Sequence, residues 1–271
     1  MSGRLGIYSQ AGNISSIDPD AQAYITAGSI TDATEIAAIN QMFLDLKGTG
    51  STTSNSNIYS KFSALYLMSP TSLAAAAINA VTPSTYDITW YNSPTHSVNG
   101  VVGNGSNQYG DTGLNAFSVL NQNDCGITVS LNTTASEVAN EMGVRTGTSN
   151  ILVLLATTTA AIARMASAIG GQMIDSSTPF NNVYTMIRRG TNDAEMYREG
   201  VSVVTSAAAS SSLPNETLYI LGENITGSGL NAPSTKRTVF NAVHQSFTDN
   251  EAKDLYDAIT NYNSNVISGG R

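Results

Sequence analysis

The chain has 271 residues and a mass of 28.3 kDa, room for one large domain or one domain with a smaller element. Only 12% of its residues are charged, against about 25% in an ordinary soluble domain, and Ser, Thr and Asn fill close to a third of it. A hydrophobic content of 41% excludes a disordered tail, and a net charge of −8 with 12 Lys and Arg, never more than two in a row, excludes the basic stripe that nucleic acid requires.

The expected elements run as follows. Asp18-Pro19-Asp20 reads as a turn. Asp32 and Glu35 have capping-box spacing, and Ile36, Ile39, Phe43 and Leu46 follow at helical intervals until Lys47-Gly48. A helix over 32–47 is predicted. Residues 48–57 have the composition of a flexible linker.

Beyond residue 57 the pattern changes to short strands. Ile127, Val129 and Leu131 alternate as in a half-buried strand, whereas 151–155 is continuously apolar and reads as buried on both faces. Val183, Thr185 and Ile187 alternate before a turn at Arg188-Arg189-Gly190. Further strands are predicted over 197–204, 218–221 and 238–247, with glycine turns between. The stretch 156–174 is ambiguous: its alanines favour helix, its flanks a bent strand. Thr248 to Glu251 is a second capping box, and Ala252, Leu255, Tyr256, Ile259 and Tyr262 form the stripe of a helix over 249–262. These elements predict a mainly β fold, a two-layer antiparallel sandwich with one helix before it and one after. The expected division is an arm and helix over 1–50, for attachment or oligomerisation, and a sandwich over 57–271.

Motifs for chemistry are few. No run of 18 apolar residues could span a membrane, the start MSGRLGIYSQ lacks a signal-peptide core, and a single cysteine, Cys125, excludes an internal disulfide. His96 and His244 have no metal-binding neighbourhood, and no nucleophile elbow, P-loop or dinucleotide fingerprint occurs. Asp193, Glu195 and Glu199 are the carboxylates to weigh for glycoside cleavage, but their turn-rich setting reads as a solvated hairpin. Asp111 and Asp124 lack a calcium-loop pattern, and Cys125 reads as an inert buried thiol. Trp90-Tyr91 is the aromatic pair that could stack on a sugar, the other reading being core packing.

Two stretches carry a resemblance. Residues 18–48, DPDAQAYITAGSITDATEIAAINQMFLDLKG, resemble the N-terminal segment of a group of tailed-bacteriophage virion proteins, and 58–66 and 96–111 continue the likeness. Met196–Val201, Leu218–Gly222 and Thr238–Tyr262 are similar to parts of a concanavalin-like, laminin-G-like sandwich. The resemblance implies a jelly-roll structural protein of a phage particle: a tail fibre, neck appendage or head decoration. It implies virion localisation after synthesis in the host cytoplasm, other virion proteins and a host-surface glycan as partners, and trimers. No catalytic residue and no cofactor come with it. A lectin-like module is the alternative, and a polysaccharide depolymerase stands behind that. Leu5, Ile7, Tyr8, Ile14 and Ile17 would form the attachment arm, with Ile36, Ile39, Phe43 and Leu46 packing either on a partner or on the chain's own sandwich.

Overall fold

The computed structural model describes residues 16–50, 56–133, 137–177 and 181–267. Helices α1 (Pro19–Ala27) and α2 (Ala33–Leu46) precede β1 (Phe62–Leu67) and the single turn α3 (Leu73–Ala76). Four strands follow: β2 (Thr89–Tyr91), β3 (Thr95–Ser97), β4 (Gly100–Val102) and β5 (Tyr109–Asn115). After the turn α4 (Ala116–Val119) come β6 (Cys125–Leu131), β7 (Ala139–Thr146), β8 (Asn150–Ala156), β9 (Ala161–Ser167) and β10 (Met173–Asp175). The series continues with β11 (Val183–Gly190), β12 (Asp193–Arg198), β13 (Val201–Ser206), β14 (Thr217–Ile220), β15 (Glu223–Ile225), β16 (Gly229–Asn231) and β17 (Arg237–His244). Helix α5 (Asp249–Ile267) closes it.

The strands form two packed sheets, the antiparallel sandwich expected. The eight-stranded sheet has the order β13-β12-β11-β6-β17-β4-β3, with β1 also paired to β17. The nine-stranded sheet has the order β10-β9-β8-β7-β14-β5-β2, and the hairpin β15–β16 joins it through a parallel pairing of β15 with β7. Between the sheets lie Tyr66, Ile127, Val129, Met142, Leu152, Leu154, Met186, Met196 and Ile220.

A second core lies outside the sandwich. The alternation that turns Tyr66 and Met186 inward turns Leu65, Leu67, Val183 and Ile187 to the other face of the eight-stranded sheet. There α1, α2 and α5 cover them with Tyr24, Ile39, Phe43, Leu46, Leu255, Ile259 and Tyr262. Of the two readings left open for Ile39, Phe43 and Leu46, packing on a partner or on the chain's own sandwich, the second is the one seen: all three are buried inside the chain. Of their companions, Ile17 and Ile36 pack partly buried against the same core, while Leu5, Ile7, Tyr8 and Ile14 lie outside the described residues. Part of the expected linker, 51–55, lies outside them too.

This helical layer also corrects the reading of β6. Every residue of β6 is buried, because helices cover the face that alternation alone assigns to solvent. Its polar residues find partners within the sheet: the Thr128 hydroxyl lies 3.0 Å from Thr185 Oγ1 and 2.9 Å from His244 Nε2. His244 Nδ1, 2.7 Å from the Gln245 carbonyl, donates to it, which leaves Nε2 to accept. Burial pushes the imidazole pKa down to about 4 from 6.5, with the nearby Lys61 charge acting in the same direction. Because the folded value is depressed, the neutral ring's contribution is complete above pH 6.5 and is lost as pH falls through 4. Wild-type protein is expected to lose up to about 3 kcal/mol from this group over that window. His244→Asn, compared by urea denaturation at pH 7 and pH 4, should show a flatter dependence; an unchanged slope refutes the assignment.

Local chemistry explains the helix ends. Asp18 Oδ1 accepts from the amides of Asp20 and Ala21, and Pro19 occupies the first turn, so the expected turn is instead the start of α1. Asp32 caps α2 through Thr34 N and Glu35 N, both at 2.9 Å. Thr248 and Glu251 exchange both bonds of a capping box, and α5 runs on past residue 262. The ambiguous 156–174 stretch is β9 and β10; Ala161, Ala163 and Ala166 are wholly buried, where small side chains suit close sheet packing. The single strand expected over 197–204 is two, β12 and β13, reversed at Glu199 and Gly200, both at positive φ.

Candidate functional site

With helices on the eight-stranded sheet, the outer face of the nine-stranded sheet is left to carry the site. Register builds that face row by row. Tyr91 on β2 faces Tyr109 on β5, and Tyr219 on β14 faces Asp111. Tyr219 also faces Gly143 on β7, Gly143 faces Val153 on β8, and Val153 faces Arg164 on β9. Directly opposed residues project from the same side of a sheet, so one row runs Asp111, Tyr219, Gly143, Val153, Arg164.

At one end of this row the tyrosines stack. The rings of Tyr91 and Tyr109 are 4.5 Å apart and 1° from parallel, and those of Tyr109 and Tyr219 are 4.6 Å apart at 32°. Tyr91 is 42% exposed, and the other two are half-buried. Burial, followed by the neighbouring phenols and Asp111, raises the Tyr219 pKa, and burial raises that of Tyr109. Both hydroxyls therefore stay protonated and able to donate well above neutral pH.

Trp90 does not join them. Alternation turns it inward, where its ring lies on Gly110 and its indole N–H donates to the Leu73 carbonyl at 3.2 Å. A Cβ at Gly110 would meet the Trp90 ring at 2.6 Å, so glycine is required for the indole to sit there. Of the pair Trp90 and Tyr91, Tyr91 is the exposed one and Trp90 is partly buried against the core.

The other end of the row is charged. Glu223 lies over Gly143 and accepts from Asn140 Nδ2 at 3.1 Å and Asn231 Nδ2 at 3.0 Å. Arg145, two residues along β7 on the same face, places Nε 3.4 Å from Glu223 Oε1. Arg164 donates from one terminal nitrogen to Gln172 Oε1 at 2.8 Å. Burial raises the Glu223 pKa against the pull of Arg145, and burial lowers that of Arg164.

The remaining sequence candidates have structural partners. Glu195 accepts from Arg189, Ser202 and the Tyr197 hydroxyl, the last at 2.7 Å. Tyr197 also touches Asp249 at 2.6 Å, and Arg189 donates to the Phe247 carbonyl at 3.1 Å. This polar knot fastens the start of α5 to the sheet. Asp193 is exposed beside Arg189, and Glu199 sits in the β12–β13 turn. Burial pushes the Cys125 thiol up to about 12, far from a reactive thiolate. His96 is half-buried, and burial lowers its pKa. Asp111 lies on β5 and Asp124 in the turn before β6, where it accepts from Ser246, and no group of three metal-ligating side chains occurs among the described residues. No helix among them is long and apolar enough to cross a membrane. A cavity of about 370 Å³ under α5 has Glu199 as its one charged lining residue.

Sequence reading missed Tyr109, Tyr219, Arg145 and Arg164. A signal existed for Tyr219: Leu218 and Ile220 are the buried positions of β14, so period two sends Tyr219 outward. None existed for the stack itself, which depends on β2, β5 and β14 becoming neighbours.

No known sequence family matches the chain, and no curated protein matches it. Solved structures do match in shape. Trypanosoma rangeli sialidase in complex with sialic acid aligns with a TM-score of 0.54 at 11% identity, over 82% of this chain and 38% of that one. A mutant structure described as HCR/D W1238A gives 0.52 at 7% identity, over 74% and 53%. The binding domain of botulinum neurotoxin serotype D gives 0.51 at 8% identity, over 74% and 52%. The chain thus spans between about four-tenths and half of the length of these neighbours. At such identities the likeness is one of fold: a mainly β, antiparallel two-sheet sandwich with a few helices.

Proposed function

We propose that the protein is a lectin-like, carbohydrate-binding module, and that the outer face of the nine-stranded sheet is where it binds. The observation that carries this is the line of three stacked tyrosines beside Asp111. The faces of Tyr109 are taken up by its two neighbours, so the exposed outer ring, Tyr91, offers a sugar ring the flat apolar surface, while carboxylate and phenol groups along the line can bond its hydroxyls. A fold shared with a sialidase solved with sialic acid and with a toxin binding domain supports the reading. Binding is preferred to glycoside cleavage because Glu195 is committed to Arg189, Tyr197 and Ser202. A place on a phage particle, the expectation from the N-terminal motif, is compatible with a glycan-binding role and is carried by sequence resemblance alone.

Purified protein on a glycan array should retain a defined set of oligosaccharides. Tyr109→Ala removes the central ring and is expected to weaken binding by about tenfold or more, as loss of a central aromatic anchor does, with little change in Tm. Full affinity in this variant, or an array without any binding, would refute the proposal.

A further inference from the structure

We infer that the glycan carries a carboxylate, and that Arg164 with Arg145 forms the acid-binding end of the same face. This inference rests on the glycan-binding reading. From Tyr219 to Arg164 the row crosses three strand spacings, about 14 Å, room for a short oligosaccharide. Its floor is made by two buried side chains, Val153 and the Glu223 that lies over the bare Cα of Gly143. A ligand stacked on the tyrosines is thus led along the sheet towards the two guanidinium groups.

The charges there do not balance. Two arginines share one carboxylate, Glu223, whose oxygens already serve Asn140, Asn231 and Arg145. Arg164 has a neutral amide as its hydrogen-bonded partner, Gln172, and the Nε atoms of both arginines are buried without a hydrogen bond among the described residues. Holding partly buried cations with too little counter-charge is costly, and an incoming anion relieves that cost. A guanidinium offers a planar fork that matches a carboxylate with two parallel hydrogen bonds, which a sugar hydroxyl cannot reproduce. The depressed Arg164 pKa and the raised Glu223 pKa both reflect groups held away from water. The ligand class is an acidic sugar, either a uronic acid or a nine-carbon keto-acid sugar.

The test is calorimetry on the full chain with tri-galacturonate and with sialyllactose, each compared with its methyl ester, which keeps the sugar and removes the charge. At least one acid should bind, with its ester weaker by about tenfold or more, the usual worth of a charge-assisted hydrogen bond. Arg164→Gln should abolish that ratio by weakening the acid far more than the ester, whereas Tyr109→Ala should weaken acid and ester together. Arg145→Gln is the second variant if Arg164→Gln does not fold. Equal binding of acid and ester, or a ratio that survives both arginine variants, overturns the inference and leaves the glycan reading standing. If neither acids nor esters bind while the array shows neutral ligands lost in Tyr109→Ala, the inference alone fails. An array without any binding removes both.

Discussion

Lys236→Leu is expected to cost about 3–5 kcal/mol at pH 8 and much less at pH 5. Lys236 is fully buried; its ammonium lies 3.2 Å from Glu141 Oε1 and donates to the carbonyls of Glu137 at 3.0 Å and Ala156 at 3.3 Å. Glu141 is equally buried and accepts from Ser234 Oγ at 2.8 Å. Burial pushes its pKa up to about 7 from 4.5, even with Lys236 pulling the other way. A folded value above the unfolded one means that the carboxyl's favourable contribution is intact below pH 4.5 and lost as pH rises through 7. Without Lys236 the pKa rises further. At pH 8 the variant must then bury a lone carboxylate or protonate it against the solvent, while at pH 5 the carboxyl is already neutral. Urea denaturation at both values measures the difference. Lys236→Met with Glu141→Gln should recover most of the loss at pH 8, because removing both charges removes the desolvation cost as well as the pairing. Equal losses at pH 5 and pH 8 would show that the ion pair does not carry the effect.

Arg188→Leu is expected to be at least as damaging, about 3 kcal/mol or more, with little dependence on pH. Its fully buried guanidinium crosses from the eight-stranded sheet to the nine-stranded one, where Nε donates to the Met165 carbonyl at 2.6 Å. One terminal nitrogen also donates to the carbonyls of Gly190, Thr191 and Ala208, at 3.1, 3.0 and 3.2 Å. Leucine fills part of the volume but leaves the buried Met165 carbonyl and three part-buried ones without this donor. Arg188→Lys should rescue little, since a single ammonium at the end of a narrower chain cannot serve both groups of acceptors. Thermal unfolding of the three proteins checks the order; a lysine variant as stable as wild type would refute it.

Neither of these residues stood out in the sequence, and the reason is general to this fold. Arg188 was read as part of a turn because Arg-Arg-Gly has turn composition, and nothing local reveals that β9 will lie opposite. Lys236 follows a Pro-Ser-Thr loop and looks like ordinary surface charge. What is legible is what depends on near neighbours: the capping residues Asp32, Thr248 and Glu251 and the period-two runs of β6 and β11, whereas the turn expected at Arg188-Arg189-Gly190 lies just beyond them, at 191–192, because β11 runs through Gly190. The failures arise where distant segments meet. Thr128 looks like a solvent position until Thr185 and His244 of the flanking strands meet it, and the tyrosine line exists only because three strands apart in sequence become adjacent. For Trp90 the core-packing reading is the one that fits, because an aromatic beside an exposed tyrosine on a strand points the other way.

The placement of β17 between β6 and β1 has a consequence for how the chain reaches its structure. Lys61, just ahead of β1, bonds Glu251 across 190 residues of sequence, and β1 itself has β17 as its strand partner. Contacts of such separation must wait for the whole intervening loop to close, which places folding at the slow end of the β-protein range. During synthesis α1 and α2 emerge first, yet the strand and helix that cover Tyr24, Ile39, Phe43 and Leu46 emerge last. Until then those side chains form an adhesive surface on an unfinished protein. Ribosome-bound chains halted before residue 237 should therefore recruit hydrophobic-binding chaperones, and chains released after α5 should shed them.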